Sequence, residues 1–107
     1  MAKLITIYWR DIPAQVIGRE GRTNLKKVLH PRFARAIDRA AMRAGRGSSD
    51  KYLEDWRRES RPCNGEMEKI VDEEVSKLES QFPADILDTV VRAGGLITPK
   101  QEAQNQD

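Results

Sequence analysis

The stretch from Leu4 to Arg22, LITIYWRDIPAQVIGREGR, constrains the fold more than any other part of the chain. Its apolar run breaks at Asp11-Ile12-Pro13, resumes from Gln15 to Ile17, and dissolves into charged residues and glycine. That pattern predicts an N-terminal hairpin: a strand, a tight connection and a second strand, with Tyr8, Trp9 and Arg10 crowded at the bend. From Ala2 to Trp9 the side chains alternate loosely, with Leu4, Thr6 and Tyr8 on one face and Ile5, Ile7 and Trp9 on the other. Both sets are largely apolar, so the first strand belongs well inside a sheet and is covered on more than one side. Pro13 cannot donate to a ladder and is expected in the connection. Gly18 and Gly21 fit a bulge or a turn. Leu25, Val28 and Leu29 would suit a helical turn, but extended structure up to His30 is preferred, because a residue before proline is pushed toward the β region.

Pro31 opens the clearest helix, PRFARAIDRAAMRAG. At 3.6 residues per turn, Phe33, Ile37, Ala40, Ala41 and Ala44 share one face, while Arg32, Arg35, Arg39 and Arg43 share nearly the opposite one. Ser48-Ser49-Asp50 reads as a turn or cap. Lys51 to Arg61 suits either a short helix through Tyr52, Leu53 and Trp56 or a third strand, and the strand is preferred. Asn64 is expected to cap a second long helix from Gly65 to Gln81, whose stripe of Met67, Ile70, Val71, Val75, Leu78 and Phe82 also contains Glu74. That carboxylate belongs at the stripe's edge or against an arginine of the first helix. Pro83 ends the second helix, Ala84 to Arg92 forms a short third one, and Gly94-Gly95 stops it. The expected fold is α+β: a small antiparallel sheet of two to three strands, with two main helices on one face and a short C-terminal helix. Residues 1–97 form one domain, and residues 98–107, nearly without apolar groups, are expected to be a disordered tail.

Composition narrows the functional classes. A chain of 107 residues can bury a modest core without disulfides, and its single cysteine, Cys63, excludes both an intrachain disulfide and a paired-cysteine metal knuckle. The longest apolar run, Leu4 to Trp9, is too short to cross a bilayer, so a cytoplasmic protein without a membrane segment is expected. The net charge of +2 conceals an asymmetry: fifteen basic against seven acidic residues up to Arg61, then four against ten. Such separation either steers an external partner or lets the two halves satisfy one another.

Three motifs in order, YWRDIPAQV, RFARAIDRAAMRAG and YLEDW, resemble a small bacterial domain family labelled virulence factor, which also occurs fused within conserved virulence factor C proteins. The resemblance spans about Leu4 to Gly95. It implies no catalytic residues, and it associates stand-alone members with companions of folate- and corrinoid-dependent methyl transfer.

Two groups stand out as candidate binding residues. Arg32, Arg35, Arg39 and Arg43 span roughly 16 Å of helix, a spacing that suits a phosphate backbone, an acidic protein surface or internal pairing with Glu66, Asp72, Glu73 and Glu79. Trp9, Arg10 and Trp56 are residue types that anchor protein interfaces, or that fill a core short of large apolar groups. His30, alone and beside Pro31, reads as a helix entry, which with no second histidine leaves no metal site. Cys63 precedes a predicted helix N-terminus, a setting in which a thiol can be reactive, but has no candidate base other than the distant His30. The expectation is therefore a non-catalytic accessory domain that binds a protein and needs no cofactor. A nucleic-acid-binding module using the arginine stripe is the first alternative, and a thiol-dependent enzyme or redox protein using Cys63 the second.

Overall fold

In a computed structural model, residues 2–46 and 49–97 are described. Strands β1 (Ala2–Trp9), β2 (Ile12–Glu20) and β3 (Thr23–Val28) are followed by helices α1 (Pro31–Arg43) and α2 (Ser49–Glu54). Strand β4 (Trp56–Cys63) and helices α3 (Met67–Gln81) and α4 (Ala84–Arg92) complete the order. The strands form one antiparallel sheet in the order β3-β2-β1-β4. The α+β class is therefore as expected, with four strands in place of two or three. The ambiguous stretch after Lys51 divides at Asp55, helical before it and extended after it. The tail expected beyond residue 97 lies outside the described residues.

The hairpin bend is tighter than the proline suggested. Only Arg10 and Asp11 turn, and Pro13 sits within β2 opposite Tyr8. Its missing N–H costs nothing to the β2–β3 ladder, which runs only from Gln15 to Glu20. The register slips by one residue beside it, leaving Ala14 as a bulge whose carbonyl accepts from the Leu29 N–H at 3.1 Å. Arg10 adopts a positive φ of 55°, and β2 turns into β3 through Gly21 at φ 60°.

Helix α3 lies on the face carrying Leu4, Thr6, Val16, Gly18 and Leu25. Gly18 is the reason it can lie so close: a Cβ there would fall 2.8 Å from Val71 Cγ2 and against Met67. Lys27 of β3 donates to Asp72, and Arg61 of β4 donates to Glu74 at 3.2 Å, so the helix is tied to both edges of the sheet. Glu74 thus meets an arginine of β4 and not one of α1. The Asp72 carboxylate also raises the pKa of Lys27 through that hydrogen bond. Helix α3 starts at Met67, two residues later than the sequence suggests. Its cap position is Glu66, without a side-chain cap, and Asn64 stays outside the helix because Gly65 takes φ 121°.

Helix α1 packs at the end of β2 and against α4. His30 caps it, its Nδ1 accepting from the Arg32 backbone N–H at 3.1 Å. Phe33, Ala36, Ile37, Ala40 and Ala41 are buried, so the face read from periodicity gains Ala36. Phe33 meets Phe82 edge-on at 6.0 Å between centroids, joining α1 to the end of α3. With so many alanines in the contact, Phe33 and Ile37 contribute most of the apolar area that holds α1.

Candidate functional site

Trp9, Arg10 and Trp56 meet where β1, β4, α2 and the chain after α4 converge. The Trp9 ring is fully enclosed, stacked on Tyr52 at 6.0 Å, and its indole N–H donates to the Tyr52 carbonyl at 2.9 Å. Arg10 lies over that ring at 5.3 Å, pairs with Asp55 at 3.2 Å and donates to the Gly94 carbonyl at 2.9 Å. Arg46 adds a second guanidinium on Asp55 at 2.8 Å. These contacts fix the left-handed Arg10 and bind the hairpin bend to two distant segments. Gly95, at φ 93°, lets the chain pass: a Cβ would come within 2.8 Å of the Trp9 ring. Trp9 and Arg10 are thus engaged within the fold. Trp56 is half-buried, meets Tyr52 edge-on at 5.7 Å and keeps part of its ring at the surface.

The arginine stripe is largely occupied as well. Arg32 donates to the carbonyls of Glu79 at 2.9 Å and Phe82 at 3.2 Å, satisfying acceptors left open at the end of α3. Arg39 pairs with Asp88 at 3.2 Å, and Arg43 reaches the Arg92 carbonyl at 3.4 Å. Among the described residues Arg35 has no partner. The contacts run mainly to α4 and to backbone oxygens, and none runs to Glu66, Asp72 or Glu73.

Cys63 and His30 are held far apart. The thiol shares a groove with Ile70 near the start of α3, whereas the His30 N–H donates to Glu79 near its end. Ile70 and Glu79 are about 14 Å apart at 1.5 Å per residue, so no thiol–imidazole pair forms. Among the described residues no cluster of three or more histidine, cysteine or acidic side chains converges to hold a metal.

The strand register reveals a surface that no single segment announced. On the side of the sheet away from α3, the residues form rows that run across the strands from β3 to β4. The first is Asn24, Arg19, Lys3 and Pro62; the second Lys26, Ile17, Ile5 and Ser60; the third Val28, Gln15, Ile7 and Arg58. Trp9 and Trp56 close the fourth, beneath Tyr52. An isoleucine cluster thus sits inside a rim of four cations, with no carboxylate in these rows. Lys3, Arg19, Lys26 and Arg58 are exposed, and among the described residues none is in a salt bridge. Ile5 is buried, at 2 % exposure, Ile7 and Ile17 are half-buried, and Val28 is 66 % exposed. At the Trp56 end this surface opens into a cleft of about 160 Å³ bounded by Val28, Leu29, Ile37, Tyr52 and Trp56. The sequence carried one signal of this arrangement, apolar residues on both faces of β1. The cations could be placed beside them only once the pairing of all four strands was known.

The structure therefore defines a small single-sheet α+β domain with one face sealed by a helix and the other largely left to side chains alone. The family model described as Virulence factor matches residues 7–91, from the middle of β1 almost to the end of α4, and the chain belongs to that family. No curated protein and no solved structure matches it.

Proposed function

We propose that this chain is a non-catalytic accessory domain that docks onto another protein through the sheet face opposite α3. One observation carries the reading: the half-buried Ile7 and Ile17, a surrounding set of exposed cations and an adjoining apolar cleft lie on one continuous surface. Apolar centre and polar rim are the anatomy of a protein interface, and Trp56 supplies an aromatic anchor at its edge. The candidate residues divide accordingly: Trp56 contacts the partner, Trp9 and Arg10 hold the ring in place, and the arginine stripe serves mainly to fasten helices. A partner among enzymes of folate- or corrinoid-dependent methyl transfer agrees with the family resemblance, and a reducing cytoplasm suits the single thiol. Among the described residues no helix is long and apolar enough to cross a membrane.

A photo-reactive side chain placed at Ile17 in the intact chain tests the reading in an extract of the native cells, with the exposed Asp85 of α4 as the control position. A discrete protein adduct from position 17, absent from position 85, is expected. Equal adducts at both positions, or none at either, would refute the docking reading.

A further inference from the structure

The four cations and the cleft also specify what the partner offers. Across the open face, Lys26 and Arg58 stand at the two sides, on the edge strands β3 and β4, and Arg19 and Lys3 stand along the far end. The three isoleucines lie between them, with Ile17 directly opposite Ile5 and Ile7 two residues further along β1. Neighbouring strands are about 4.8 Å apart, and residues two apart on a strand about 6.8 Å, so the apolar centre is narrow. One helix, whose i, i+3 and i+4 side chains are about 5–6 Å apart, covers a patch of that size with a single stripe. Its flanks would then face the cations. The cleft beside Trp56 has about 160 Å³, close to the roughly 150 Å³ that accommodates a benzene-sized group.

Resting on the docking reading above, we propose that the partner element is an acidic amphipathic helix of another protein, laid over Ile7 and Ile17 with one large apolar side chain in the Tyr52–Trp56 cleft. Charge complementarity selects acidic flanks: with no carboxylate among the face's rows, a basic helix meets four exposed like charges. Asp38, on the α1 side of the cleft, lies beyond the isoleucine centre and leaves room for one basic or neutral residue there. Nucleic acid fits less well, since successive bases need aromatic platforms and the centre of this face is aliphatic. An anionic bilayer fits less well too, because insertion needs apolar groups that protrude beyond the charges, whereas Ile7 and Ile17 lie half-buried between exposed cations.

The test uses the full chain and four probes at matched ionic strength. They are a synthetic helix with leucine and phenylalanine on one stripe and glutamate on its flanks, the same helix with lysine flanks, a polyuridylate single strand, and vesicles containing phosphatidylglycerol. Binding of the glutamate helix alone, moving the amide resonances of Ile5, Ile7 and Ile17 and the Trp56 indole signal, is the expected result. The double reversal Lys26→Glu with Arg58→Glu changes only exposed side chains and is expected to weaken that binding roughly tenfold without altering thermal stability. Equal binding of the lysine helix, tighter binding of polyuridylate or vesicles, or resonance changes confined to other surfaces would overturn the proposal. So would failure of the glutamate helix to bind. If that failure accompanies a discrete adduct from position 17, the partner's chemistry is wrong and the docking face stands; if the adduct is missing too, both fall.

Discussion

Replacing Gly18 with alanine probes how closely α3 approaches the sheet. In most strands this change stabilises, because alanine loses less conformational freedom than glycine on folding, about 0.5–1 kcal/mol. Here the new methyl would stand 2.8 Å from both Met67 Cγ and Val71 Cγ2, about 0.7 Å or more inside ordinary carbon contact. Met67 can swing aside, being unbranched and only partly buried. Val71 cannot: it is fully enclosed, β-branched and held in the stripe that anchors α3. Overpacking of this kind costs about 1–3 kcal/mol, so a net loss of about 2 kcal/mol is expected, lowering the melting temperature by about 10 °C in a domain of this size. Urea unfolding followed by far-ultraviolet dichroism measures it. Adding Val71→Ala should restore part of the difference, because the methyl then has space, and the double-mutant cycle would show a positive coupling between the two sites. A Gly18→Ala protein as stable as the parent, or more so, would refute the close approach.

Further outcomes follow from the same contacts. Ile37→Ala, at a position 2 % exposed, is expected to cost about 2–4 kcal/mol in the same unfolding assay. Arg32→Ala, which frees two carbonyls at the end of α3, should cost about 1–2 kcal/mol, whereas Arg35→Ala should stay within about 0.5 kcal/mol. Burial raises the pKa of both Tyr8 and Tyr52 above 10.0. The folded chain then holds these protons where the unfolded chain releases them, so stability should fall as pH rises from about 10 through the raised values. A phenolate absorbance titration that finds either tyrosine ionising below 10 would contradict this.

Elements with strong internal periodicity were legible from the chain. Phe33 and Ile37 define the buried face of α1 through their i, i+4 spacing, and Val71, Val75 and Leu78 do so for α3. The stretch WRRESRPC of β4 has no such pattern, because it is an edge strand exposed along most of its length, and its pairing with β1 supplies its extended conformation. Pro13 misled because a proline rule that holds beneath two ladders does not bind a strand end with a partner on one side only. Asn64 misled in a similar way: its side chain can cap, but the backbone of Gly65 carries the chain away before the helix begins. Glu74 and the arginine stripe needed tertiary information, since their partners come from β4, α3 and α4. The candidate face was the least legible part. Its residues come from four strands, and their coincidence depends on register, which no local pattern contains.

Helix α3 covers Leu4 and Val16 on one face of the sheet, whereas Ile7, Ile17 and Val28 on the other keep part of their surface exposed. Solvent paramagnetic relaxation of methyl resonances, recorded on the free chain with a neutral gadolinium chelate, distinguishes the two faces. The methyls of Ile7, Ile17 and Val28 should be strongly attenuated while those of Leu4 and Val16, beneath α3, stay protected. Equal protection of Ile7, Ile17, Leu4 and Val16 would show that both faces are covered and that no open sheet face exists for docking.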